Sequence, residues 1–196
     1  MSRPHFDALF VDRDGTLIVE RGFLGDPRGV RLSKGAAERL KRFTDVGTKL
    51  FLVTNQSGIA RGVVTWDQVN AVNAEVVRRL ARRGVPVAGV LVCPHHPEGK
   101  VAKYRKRCRC RKPRTALHER AIREHGLDAV RTVVIGDKWD DVGAAASLGC
   151  AAAHVATGYG REHRARVRAL SPDAILARTL ADALERLEAL APRPRR

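Results

Sequence analysis

Apolar runs of strand length alternate with helix-like stretches along the whole chain, and this alternation limits the fold more than any other feature. The runs are "FDALFV" (6–11), "KLFLVTN" (49–55), "VAGVLVC" (87–93), "RTVVIGD" (131–137) and "CAAAHVAT" (150–157), with "DAILA" (173–177) as a short sixth. Between them, Ser33 is positioned to cap a helix through "KGAAERLKRFTDVG", which Gly47 stops. Thr65 and Gln68 have the spacing of a capping box, and the helix they open runs to about Arg83, before Gly84. "TALHERAIREHG" with Gly126 as its stop, "DDVGAAASLG" and "TLADALERLEAL" read as further helices. Strands alternating with helices pack as an α/β, doubly wound parallel sheet covered on both faces.

The 196 residues suit one domain with a real core, and 44% hydrophobic content argues against disorder. The expected domain spans 1–191, with an irregular basic loop at about 93–112 and a frayed tail, 192–196. Lys+Arg 37 against Asp+Glu 21 gives a net charge of +16. That balance favours phosphorylated or polyanionic partners without choosing between them, and compositional drift toward Arg explains it equally well. No apolar stretch approaches the ~20 residues that span a bilayer. The first ten residues lack the apolar segment of a signal peptide, so the expected location is cytoplasmic. Four cysteines in such a setting point to metal or chemistry before disulfides.

Ligands of open parallel sheets bind at the carboxyl ends of the strands. Polar residues sit at four of those ends: Asp12, Thr54-Asn55, Cys93 and Asp137. Asp141 follows Asp137 by one helical turn and can face the same side. Carboxylates brought together there repel unless a cation compensates, and Mg²⁺ fits because it needs few protein ligands and leaves room for phosphate. Taken one at a time, Asp12 and Asp14 are also ordinary turn residues and Asp137 an ordinary helix cap. In "TNQSG" the Thr54 hydroxyl, the side chains of Asn55, Gln56 and Ser57, and free backbone N–H groups can hold phosphate oxygens, as can ordinary loop chemistry. Lys112 can neutralise a transferring phosphoryl group. It is also one of eight basic residues from Lys100 to Lys112, most of which need be no more than solvated, and Arg111 is another.

"CPHHPEGKVAKYRKRCRC" holds Cys93, His95, Cys108 and Cys110, and three thiolates with an imidazole suit tetrahedral Zn²⁺. His96 is the competing imidazole, and unrelated thiols are the alternative. Cys150 stands apart as a small apolar residue.

"DRDGTL" (12–17), "TNQSG" (54–58), Lys112 and "GDKWDD" (136–141) together resemble, in order and spacing, the four motifs of the haloacid dehalogenase-like phosphatases. The resemblance implies a Rossmann-like fold and a Mg²⁺-dependent reaction through a phosphoaspartyl intermediate. Asp12 is then the nucleophile and Asp14 the general acid and base. Thr54 and Lys112 stabilise the transferring phosphoryl group. Asp12, the backbone carbonyl of Asp14, and Asp137 hold Mg²⁺. Adding "CPHHP…CRCRKP" and "TNQSGIARG", the chain is most similar to the D-glycero-D-manno-heptose 1,7-bisphosphate phosphatases and the related histidinol-phosphate phosphatases. Their pattern selects His95 over His96 for zinc. It also places Glu20, Arg21, Gly22, Phe23, Arg111 and Lys138 toward substrate, and it implies short loops with no large cap domain. The heptose enzymes often carry tyrosine where this chain has Phe23.

The expected reaction is hydrolysis of the 7-phosphate of a heptose bisphosphate, a small phosphorylated sugar, by a monomeric protein. Histidinol-phosphate hydrolysis shares every catalytic residue and is the alternative. A zinc-stabilised nucleic-acid binder, or a nucleic-acid end phosphatase, is the reading from a different class. It fits "KYRKRCRCRK". However, aromatic residues are only 5% of the chain, which leaves few side chains for bases to stack on, and the acid cluster goes unexplained.

Overall fold

In a computed structural model, which describes residues 6–190, the apolar runs lie side by side as six parallel strands. The order along the chain is β1 (Ala8–Val11), α1 (Ala36–Asp45), β2 (Lys49–Asn55), α2 (Ser57–Arg61), α3 (Trp66–Ala81), β3 (Gly89–Cys93) and α4 (Ala116–His125). It continues with β4 (Thr132–Gly136), α5 (Trp139–Leu148), β5 (Ala151–Val155), α6 (Gly160–Leu170), β6 (Ile175–Ala177) and α7 (Leu180–Leu190). Across the sheet the order is β3-β2-β1-β4-β5-β6, so the winding of successive strands switches sides between β1 and β4. In doubly wound sheets that switch opens a crevice above the strand ends.

Both central strands are buried from end to end, which is why they read as continuous apolar runs. Their side chains still alternate between two cores. Leu9 and Val11 join α1, α3 and α7 through Leu40, Val76 and Leu184. Ala8 and Phe10 join α4, α5 and α6 through Leu117, Val142 and Val167. Three helices therefore seal each face, and only the strand ends remain open for chemistry. Between β1 and α1, residues 12–35 form a loop bearing one 3-10 turn (Pro27–Gly29) and a bridge between Ile18 and Leu32, with no cap domain. Among the described residues no helix is long and apolar enough to cross a membrane. The tail 192–196 lies outside the described residues.

Ser33 does not cap α1. Its hydroxyl donates to the Thr16 carbonyl at 2.6 Å, tying down the loop after β1, and Gly35 takes the cap position at φ 73°. A buried carbonyl next to the site leaves that hydroxyl better used there than on an exposed helix end. α6 has no counterpart in the sequence reading. Only Gly160 and Val167 of its residues are buried, so the apolar stripe that announces a helix is missing. α2 is a turn and a half and too short to read.

The Thr65–Gln68 capping box forms as expected, with Thr65 Oγ1 accepting from the Gln68 N–H at 3.1 Å and Gln68 Oε1 accepting from the Thr65 N–H at 2.8 Å. Thr65→Ala is therefore expected to lower unfolding free energy by about 1 kcal/mol, read as a shift in the urea midpoint without a change in slope.

Candidate active site

β1 and β4 deliver two carboxylates to the crevice. Asp12 directly follows β1, and its N–H donates to the Ile135 carbonyl at 2.9 Å. Asp137 directly follows β4 and is fully buried. Its Oδ2 accepts the Tyr159 N–H at 2.8 Å, while its Oδ1 has no protein partner. Asp141, in the first turn of α5, accepts the Lys138 N–H at 3.1 Å. Oxygens of Asp12, Asp137 and Asp141 all lie within 4.8 Å of one another. Burial pushes the Asp12 carboxyl up, against the pull of Lys112. It pushes Asp137 up as well, reinforced by Asp12 and Asp141. A buried acid cluster with an unpartnered oxygen is what a hard, oxygen-liganded divalent cation such as Mg²⁺ would relieve. Gly15 (φ +78°) and Gly158 (φ +55°) line this cluster closely enough that a Cβ on either would run into Asp137 Oδ2.

Lys112 is buried against the same acids. Its Nζ donates to Asp12 Oδ1 at 2.6 Å and to the Val53 carbonyl at 2.5 Å. It lies 2.6 Å from Asp141 Oδ1, within ion-pair distance but without hydrogen-bond alignment. Burial opposes its charge, yet Asp12 and Asp141 outweigh burial and raise its pKa. The geometry thus separates Lys112 from the merely solvated lysines of its loop. Beneath it, His118 is buried with neither ring nitrogen partnered, and its ring meets Phe10 edge-on at 5.0 Å. Burial, aided by the Lys112 charge, pushes His118 down to about 3, so it packs as a neutral ring.

The "TNQSG" turn brings Thr54, Asn55 and Ser57 to the cleft. Thr54, next to last in β2, is buried at the cleft wall. Asn55, expected on phosphate, turns its amide onto the Lys112 backbone, donating to its carbonyl and accepting its N–H, each at 3.1 Å. Gln56, also expected on phosphate, donates to Asp14 Oδ2 at 2.7 Å and Thr54 Oγ1 at 2.8 Å. Both amides fix other site residues because backbone and carboxylate partners lie within reach and would be desolvated without them. Ser57, Arg111 and Lys138 line a space of about 80 Å³ together with Asp12, Asp14 and Lys112. Lys138 Nζ also rests 4.4 Å from the centre of the Tyr159 ring.

The segment after β1 sits farther out. Glu20 accepts the Gly22 N–H at 2.6 Å, and its carboxyl is raised by burial and by Asp14. Arg21, Gly22 and Phe23 are exposed, with the Phe23 ring over Gly58 beside the Thr54 turn. Sequence reasoning missed Arg13, whose guanidinium holds Asp14, and the loop after β5. In that loop Thr157 donates to the Gly15 carbonyl at 2.6 Å and Tyr159 donates its N–H to Asp137. The run of small residues in "ATGYG" is the only signal that marks it.

Beside this cleft, Cys93 at the end of β3 meets His95, Cys108 and Cys110. The three sulfurs are 3.2–3.5 Å apart, and His95 Nδ1 lies 3.2 Å from Cys110 and 3.8 Å from Cys93. All are far beyond a disulfide bond and near the roughly 3.8 Å sulfur–sulfur edge of a tetrahedron with ~2.3 Å metal–sulfur bonds. Burial pushes Cys93 up and His95 down, the latter helped by Lys106. The imidazole is thus neutral, while the thiol needs a cation to ionise. His96 is engaged elsewhere, with Arg61 at 3.1 Å and the Glu98 N–H at 3.2 Å. The cluster can hold a metal ion with His95 as its imidazole.

Residues 109–183 match the family model described as HAD-hydrolase-like. The chain is 38% identical over 138 residues to the D-glycero-beta-D-manno-heptose-1,7-bisphosphate 7-phosphatase of Yersinia pestis, covering 70% of this chain and 73% of that one. It is 36% identical over 138 residues to the enzyme of the same name from Escherichia coli K12, covering 70% and 72%. Its fold superposes, with a TM-score of 0.83 and 31% identity, on the crystal structure of D,D-heptose 1.7-bisphosphate phosphatase from B. bronchiseptica complexed with magnesium and phosphate. That likeness covers 94% of this chain and 99% of the other.

Cys108→Ser is expected to lower the bound soft divalent metal per chain, measured by atomic emission, whereas His96→Ala leaves the metal content unchanged.

Proposed function

This chain belongs to the haloacid dehalogenase-like phosphatases named for D-glycero-D-manno-heptose 1,7-bisphosphate, and on that premise we propose that it removes the 7-phosphate of the β-heptose bisphosphate with Mg²⁺. The observation that carries the reading is Lys112 Nζ seated on both Asp12 and Asp141 at the mouth of the crevice. A carboxylate is a nucleophile that needs no deprotonation, and phosphoryl transfer asks mainly for alignment and charge neutralisation. Lys112 holds Asp12 Oδ1 and so fixes the carboxylate plane.

Asp12 attacks phosphorus as the bond from phosphorus to O7 of the sugar breaks. Asp14 gives its proton to that departing oxygen. Asp14 then takes a proton from a water molecule, whose oxygen attacks the phosphorus of the aspartyl phosphate, releasing inorganic phosphate and restoring the Asp12 carboxylate. Thr54 and Lys112 steady the phosphoryl oxygens. Asp12, Asp137 and the Asp14 carbonyl would hold Mg²⁺, which supplies positive charge to the phosphoryl group. Arg111 and Lys138 line the cleft and offer charge to a substrate carrying two phosphates. Cys93, His95, Cys108 and Cys110 would hold structural Zn²⁺, pinning the loop that ends in Arg111 and Lys112. Glu20, Arg21, Gly22 and Phe23, on the segment after β1, would contact the sugar.

The test is phosphate release with Mg²⁺ from α- and β-heptose 1,7-bisphosphate, histidinol phosphate and 5′-phosphorylated oligonucleotides, compared as kcat/KM. The β-anomer is expected to lead, and a lead for histidinol phosphate or an oligonucleotide would overturn the substrate assignment. Asp12→Asn is expected to lower turnover by at least ~10³-fold with an unchanged circular dichroism spectrum. Normal turnover in that variant would refute the nucleophile.

A further inference from the structure

Arg13 has no part in the reaction just described, yet among the described residues it is the bulkiest side chain with no exposure at all. A guanidinium is placed so deep only where its N–H groups are matched. Nε donates to Asp14 Oδ2 and Nη2 to Asp14 Oδ1, each at 3.1 Å, with Nη2 also 2.8 Å from Oδ2. Nη1 donates to Asn73 Oδ1 at 2.7 Å. Asn73 is the one amide on the buried side of α3, among Val69, Val72, Val76 and Leu80. From the other side Gln56 adds its own N–H to Asp14 Oδ2 at 2.7 Å. The Asp14 carboxylate is therefore fixed in plane and direction by a fork whose far end is bolted to a helix.

We propose that Arg13, steadied by Asn73, is a positioning residue for Asp14, and that this fork sets where the leaving-group proton is delivered. The inference rests on the phosphatase reading. Among the described residues no domain closes over the cleft, so the general acid is aimed from below, by the chain that carries it.

An acid that is badly aimed harms a poor leaving group more than a good one. A nitrophenolate leaves as a stable anion, while an alkoxide needs the proton as the bond breaks. The experiment compares kcat/KM for p-nitrophenyl phosphate with kcat/KM for the alkyl phosphate on which the wild-type protein is most active. Arg13→Lys keeps the charge and loses the fork, whereas Asn73→Ala leaves Arg13 and Asp14 in place and removes the bolt. Both variants are expected to lose at least tenfold more on the alkyl ester than on the aryl ester. Equal losses on the two esters, or none, in a variant that unfolds at the wild-type temperature would overturn the proposal. If Arg13→Lys does not fold, Asn73→Ala decides alone. A wild-type protein inert toward both esters would overturn the phosphatase reading itself, and this proposal with it. An active wild type with an unmoved ratio in the variants overturns this proposal only.

Discussion

Repulsion among three clustered carboxylates, two of them buried, is the constraint around which the rest of the site is built. Asp12, Asp137 and Asp141 bring like charges within 4.8 Å. At an effective dielectric constant near 20 each such pair costs about 3–4 kcal/mol. The Lys112 ammonium offsets one charge of the three and leaves two, the amount a single divalent cation supplies. Much else follows from keeping Lys112 in that position. Asn55 grips its backbone from β2, the Val53 carbonyl accepts a further bond from its Nζ, and the Cys/His cluster includes the residue two positions before it. The metal-competent loop and the acid cluster are thus one mechanical unit.

The two acid-bearing strand ends also explain where the backbone had to give way. Asp137 is approached from both sides, by the turn after β1 and by the loop after β5, and only glycines at 15 and 158 allow it. The Thr157 hydroxyl and the Tyr159 N–H then stitch those two turns and the carboxylate together. Around Asp137 the cleft floor is therefore backbone brought to close range from two turns.

The sequence already located the strand ends, because buried parallel strands are uniformly apolar and polar residues at their carboxyl ends stand out. It placed Asp12, Asp137, Asp141 and the cysteines where the structure brings them together. It could not show which side chains answer to distant groups, whether backbone or carboxylate. Ser33 bonds Thr16, Asn55 bonds Lys112, and Gln56 bonds Asp14, none of which local spacing can reveal. Arg13 was invisible for the related reason that a charged residue between two acids reads as solvent-facing, whereas its partner Asn73 lies sixty positions away on a helix. α6 was lost because the edge of the sheet asks for very little apolar surface.

The sheet order has a consequence for synthesis. β1 pairs with β2 on one side and β4 on the other, so the strand carrying Asp12 waits for its second neighbour until residue 132 has been made. Until then the chain holds the nucleophile without Asp137 or Asp141. A growing chain therefore passes through a long interval in which it has no complete acid cluster, little affinity for a cation there, and no means of attacking a phosphate ester. The order of strands acts as a timer that withholds the chemistry until the sheet is closed around it.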